Sequence, residues 1–262
     1  MTKNNIVVLI NLDRPHLNII QSSLNVASNM NAAVTFLYIK KGTDVVKNEN
    51  HISAIQTLTD THMKIDRKMR NLLDPFQQST STELRSKIAI GNVKSHIKRY
   101  LEDLNPDLVI LGKRSKKTLP WEGDRLTQFV VNKFQGPVLI SSTEQVLELN
   151  EDLSLGLLSD MVSDKPDGFV NDLLSISSRP VKSFKIANKA SEPSSNNIPF
   201  NTVEYVFDQG NNAVKNLSKY VLRNNVHLLF LDRNHVTQRS RKATSTNMNG
   251  VIHQLPSSLL LT

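Results

Sequence analysis

Two stretches of this chain, about 119 residues apart, follow one grammar, and that repetition constrains the fold more than any other feature. The first runs from the apolar stretch at 107–112 through the basic loop Lys113-Arg114-Ser115-Lys116-Lys117 to a helical segment ending Gly136-Pro137-Val138-Leu139-Ile140-Ser141. Gly91-Asn92 is echoed by Gly210-Asn211, Tyr100 by Tyr220, and Leu108-Val109-Ile110-Leu111 by Leu228-Leu229-Phe230-Leu231. Lys113-Arg114 is echoed by Arg233-Asn234, and Pro137 by Pro256. A nearly constant offset over about fifty residues marks an internal duplication. With 262 residues and 39% hydrophobic content, each copy can bury its own core.

Short Val, Ile and Leu runs alternate with segments of helical period, the signature of crossover units and a parallel sheet buried on both faces. In the first copy this predicts strands near 5–11, 33–39, 84–90, 107–112 and 137–142. Helices are predicted near 15–30, 51–76, 92–104 and 122–135, with Asn105-Pro106 stopping the third and Gly136-Pro137 closing the fourth. The second copy opens at Leu153-Ser154-Leu155, with strands near 181–187, 202–207, 226–232 and 257–261 and helices near 166–177, 211–224 and 242–253. Ile6 and Gly91 lie much further apart than their counterparts Ser154 and Gly210, so about one long helix is missing from the second copy. The Ser-, Asn- and Pro-rich stretch at 190–199 takes its place and reads as a surface loop. The expected organisation is a domain at 1–143, an acidic linker at 144–152 and a shortened domain at 153–262. Each domain is a doubly wound α/β fold with a five-stranded parallel sheet and flanking helices.

Charge and composition narrow the chemistry. The formal net charge of +8 lies in the first copy, where residues 1–142 carry 20 Lys and Arg against 12 Asp and Glu. A basic surface permits a polyanion partner. No helix-turn-helix, zinc finger or aromatic-rich RNA-binding motif accompanies it, so nucleic acid is not expected. The absence of cysteine excludes disulfides, a thiolate nucleophile and Cys-ligated metals. The apolar start at 6–10 meets Asp13 and Arg14 too soon for a secretory core or a membrane span, and a soluble cytoplasmic protein is expected. There is no G-x-S-x-G elbow, no phosphate-loop GK[ST] motif and no H-E-x-x-H, and His96 and His235 face no evident nucleophile or acid. No catalytic residue is assigned. His62 and Asp66 have a metal-compatible spacing on one helix but lack a third ligand, so no metal is assigned either.

This order of elements resembles the universal stress protein family in its tandem, two-domain form, over essentially the whole chain. Family members with nucleotide affinity carry, after the fourth strand, Gly, two residues, Gly, nine residues and then Gly-Ser or Gly-Thr, before a Pro-Val strand. Gly112 matches the first glycine, and Gly136-Pro137-Val138-Leu139-Ile140 matches the closing strand. Ser115 stands at the second glycine and Asp124-Arg125 at the Gly-Ser position, whereas the hydroxyl of Thr127 is kept. Past the first strand, Asn11 takes the place of the family's acidic residue, which helps to hold the nucleoside, and Asp13 stands two positions on. The resemblance thus implies an adenine nucleotide α-hydrolase-like fold with a degenerate nucleotide motif, and no required cofactor. Its candidate binding set is Asn11, Asp13, Gly112, Lys113, Arg114, Ser115, Arg125, Leu126 and Thr127.

The departures have physical weight, because glycines let backbone amides close on a phosphate at a helix N-terminus. Asp124 there can cap the helix, and its carboxylate repels phosphate. Lys113, Arg114 and Lys116 are side-chain cations that can substitute for lost amide donors, or else form a solvated loop. Trp121 either covers the cleft or anchors its loop on the core. In the second copy Asp232 replaces the first glycine, and the basic run Arg239-Ser240-Arg241-Lys242 follows.

The apolar final strands at 137–142 and 257–262 need partners at their edges. In the family, domains associate through this strand, which implies an internal pseudo-dimer and leaves a further homodimer open. The expected role is regulatory or protective, by binding an adenine nucleotide or another phosphate-bearing ligand. A nucleotide-hydrolysing or nucleotide-transferring enzyme of the same fold, or a polyanion- or protein-docking module, are the alternatives.

Overall fold

The computed structural model describes residues 4–45, 51–113, 120–158, 168–187, 201–208, 210, 212–231 and 254–262. Their contacts divide the chain into two compact units, Met1–Gly112 with Trp121–Pro137, and Lys113–Pro120 with Val138–Thr262.

Unit one is organised around β1 (Asn4–Leu9), where Ile6, Val7 and Val8 are all buried, as a strand covered on both faces requires. β1 pairs in parallel with β2 (Ala32–Lys41), from Asn4 opposite Ala32 to Leu9 opposite Leu37. On its other side it pairs with β4 (Leu108–Gly112), Leu9 opposite Leu111. β3 (Leu84–Gly91) lies outside β2, giving the order β3-β2-β1-β4. The crossovers are α1 (Leu17–Met30), α2 (His51–Ser79) and α3 (Val93–Leu104), and α4 (Pro120–Lys133) follows β4. α1 and α3 both end on an asparagine in the left-handed region, Asn31 at φ 49° and Asn105 at φ 37°. α3 starts where the Asn92 side chain accepts the Ser95 N–H at 3.1 Å. α2 runs three residues past its expected end, with Pro75 inside it, and packs through the buried stripe Ile65, Met69 and Leu73.

Unit two repeats the order. β6 (Leu155–Leu158) lies between β9 (Leu228–Leu231) and β7 (Val181–Ala187), β8 (Thr202–Asp208) lies outside β7, and β10 (Ser258–Leu261) outside β9, all in parallel. α5 (Gly168–Ile176) and α6 (Ala213–Arg223) are its described helices. Phe184, Tyr205, Phe207 and Tyr220 form an aromatic cluster that fastens α6 to β7 and β8, with Tyr205 and Tyr220 4.6 Å apart between ring centroids. β5 (Val138–Ser141), the last strand of the first sequence copy, groups with this unit because it pairs antiparallel with β10, Val138 opposite Leu261 and Ile140 opposite Leu259. The contact boundary therefore falls just before Val138, ahead of the boundary of the sequence repeat at 143. The expected loop at 190–199 and helix at 242–253 lie outside the described residues. Among the described residues no helix is long and apolar enough to cross a membrane.

Candidate ligand site

The register that sets Leu9 opposite Leu111 brings the residues after β1 and the end of β4 to one carboxyl edge of unit one, the edge where open α/β sheets take ligands. Asn11 Oδ1 accepts the Asp13 backbone N–H at 2.9 Å, closing a tight Asx turn. Asp13 Oδ2 in turn accepts from the Tyr38 hydroxyl and from Lys40 Nζ, each at 3.2 Å. Burial, and then the neighbouring Asp13 charge, push the Tyr38 phenol well above its ordinary range, so it stays a proton donor.

At Gly112, on the same edge, a Cβ would lie 2.2 Å from Ile19 Cδ1. The glycine admits the Ile19 side chain of α1 close against β4. The Lys113 ammonium donates to the Leu255 carbonyl and, at 3.4 Å, to the Ser257 carbonyl, within unit two. Arg125 is exposed on α4, and Leu126 and Thr127 beside it are partly buried. Arg114, Ser115, Lys116, Lys117, Asp232, His235 and the basic run at 239–242 lie outside the described residues, as do the side chains of Trp121 and Asp124. Asp66 pairs with Arg70, and His96 Nδ1 lies 3.4 Å from an Arg99 guanidinium nitrogen. Among the described residues no three His, Asp or Glu side chains are grouped to hold a metal ion.

A cavity of about 740 Å³ opens beside Asp13, within the usual range for small-molecule sites. One wall is Leu12, Asp13, Tyr38 and Lys40; the other is the part of α2 between Asp60 and Asn71. Nothing in the sequence singled out these α2 residues, because Lys64, Arg67 and Lys68 read as the solvated face of an amphipathic helix. Their spacing three and four apart beside the buried Ile65 is the signal that could have found them. With its Asp13 carboxylate tied to Lys40 and its Tyr38 phenol held protonated, the cavity offers charge and hydrogen bonds to a ligand more readily than a poised acid or base.

The strand orders define a tandem, doubly wound α/β protein. No family model and no curated protein matches the sequence. Among solved structures, a universal stress protein from Archaeoglobus fulgidus DSM 4304 matches 98% of this chain and 95% of its own, with a TM-score of 0.68 at 11% identity. A protein of unknown function from Pseudomonas aeruginosa PAO1 matches 99% of this chain and 92% of its own, with a TM-score of 0.57 at 10% identity. Along nearly its whole length the chain has the fold of the universal stress proteins.

Proposed function

We propose that this is a non-catalytic, universal stress protein-like protein of the cytoplasm, which acts in the stress response as a regulatory or protective binder. Its ligand is an adenine nucleotide or another phosphate-bearing molecule, held in the cavity beside Asp13. One observation carries this reading: the Asn11–Asp13 turn, where the resemblance places the nucleoside end of a ligand, opens onto a cavity of nucleotide size. Tyr38 and Lys40 fix the Asp13 carboxylate there before any ligand arrives, so little ordering is left to accompany binding.

A ligand that binds only the folded state stabilises it by mass action, by about 2.7 kcal/mol at a hundredfold excess over Kd. For a chain of this size that is a rise of roughly 5–10 °C in Tm. Millimolar AMP, ADP or ATP is expected to raise the Tm of the full chain; a Tm unmoved by all three overturns the proposal. Steady release of phosphate or pyrophosphate from ATP would instead favour the hydrolytic alternative. We further propose that the two sequence copies associate as an internal pseudo-dimer through their final strands, which the antiparallel pairing of β5 with β10 supports.

A further inference from the structure

Given a ligand in the cavity beside Asp13, we infer that its charged end lies against α2, held by Lys64, Arg67 and Lys68, and that the ligand is a phosphomonoester. The cavity lining carries four cations and two carboxylates. Lys40 and Asp13 satisfy each other at 3.2 Å, which leaves three cations on α2 facing the single carboxylate of Asp60. Asp60 stands one turn before Lys64, the spacing of a helical ion pair, yet no ion pair joins them, and none engages Arg67 or Lys68 among the described residues. The uncompensated excess is two positive charges. A phosphomonoester carries about −1.5 to −2 at neutral pH and presents its acceptor oxygens on one compact group, so it matches both the excess and its clustering.

The rest of the cavity suits the body of such a ligand. Leu12 and Ile65 are buried in its walls, and Met63, 58% exposed, adds an adaptable apolar side chain to the lining that a ligand would cover. At the β4 end of the edge, Ile19 lies where a Cβ on Gly112 would be, and the Lys113 ammonium donates to carbonyl oxygens.

Calorimetric titration of the full chain with AMP and with adenosine, at low salt, tests this. AMP is expected to bind at least about tenfold more tightly than adenosine, since charge-assisted hydrogen bonds each contribute that much. The double variant Arg67→Gln, Lys68→Gln should erase the difference, while Arg70→Gln, which removes a charge from the same helix at a residue paired with Asp66, should keep it. Both substituted positions are exposed, so the Tm without ligand should not move. If adenosine matches AMP on the unaltered chain, or AMP keeps its advantage in the double variant, the α2 phosphate subsite is wrong while the cavity still binds. If neither compound binds the unaltered chain, the cavity reading falls and the subsite with it.

Discussion

Gly91 and Gly210 hold the same place in the two copies and face different surroundings. Gly91 has φ 148°, a conformation that L side chains rarely adopt, and a Cβ on it would come within 2.8 Å of His96 Nε2. Gly210 has nothing within 4 Å of the same point. Gly91→Ala is therefore expected to destabilise by about 1–3 kcal/mol, and Gly210→Ala to stay within about 0.5 kcal/mol of the parent. Urea unfolding midpoints measure both; equal shifts would contradict the difference in environment. The repeated Gly-Asn pair was legible in the sequence, but its unequal importance was not, because it depends on His96 folding back over one of the two glycines. Gly112 teaches the same lesson. A Cβ there would meet Ile19, contributed by a helix more than ninety positions away in the chain, a contact that no local pattern announces.

At the scale of elements, apolar patterning placed the ten strands among the described residues to within a few residues, and Asn105-Pro106 stopped α3 where expected, since these signals are local. The hydrogen bonds that join strand ends are not local, and His227 shows how much they can matter. Its Nδ1 accepts the Ser154 N–H at 3.1 Å, its own N–H donates to the Ser154 carbonyl at 2.9 Å, and its carbonyl accepts the Ser258 N–H at 3.1 Å. One residue thereby ties together the starts of β6, β9 and β10. The ring must keep Nδ1 unprotonated to accept, and burial, followed by the Arg179 and Lys182 charges, lowers its pKa against the smaller opposing pull of Glu148 and Asp152. Because the folded value lies below the ordinary 6.5, the unfolded chain takes up the proton first as pH falls. This contribution to stability is complete above about pH 6.5 and is lost as pH drops from there through the lowered folded pKa. The Tm should consequently decline between pH 7.5 and 5.5. His227→Gln, which can offer an amide oxygen to Ser154 without titrating, should show a shallower decline; an unchanged slope would remove His227 as the source.

On the scale of the molecule, the duplication was legible because both copies keep the same apolar runs and the same strand order, 3-2-1-4 in the first and its counterpart 8-7-6-9 in the second. The apolar edges of the two final strands pointed to their association, and β5 does pair with β10; that β5 groups with unit two rather than with its own sequence copy was not legible, because Val138–Ser141 is an ordinary closing strand by sequence and its partner lies more than a hundred residues away. The consequence can be measured at Leu139, which is 1% exposed and lies opposite Leu260. Leu139→Asp would bury a carboxylate with no cation assigned to it, at a cost of more than about 3 kcal/mol. If the sequence copy were the cooperative unit, that cost would appear as lost amide protection in β1, β2 and β3. Since β5 groups with unit two, hydrogen exchange read by mass spectrometry should instead show peptides across 228–231 and 258–261 losing protection first, while those across 32–41 and 84–91 keep theirs. Loss that begins in β2 and β3 would mean that β5 is held chiefly by the first copy, and would place the division of the chain after Ser141, where the repeat alone would put it.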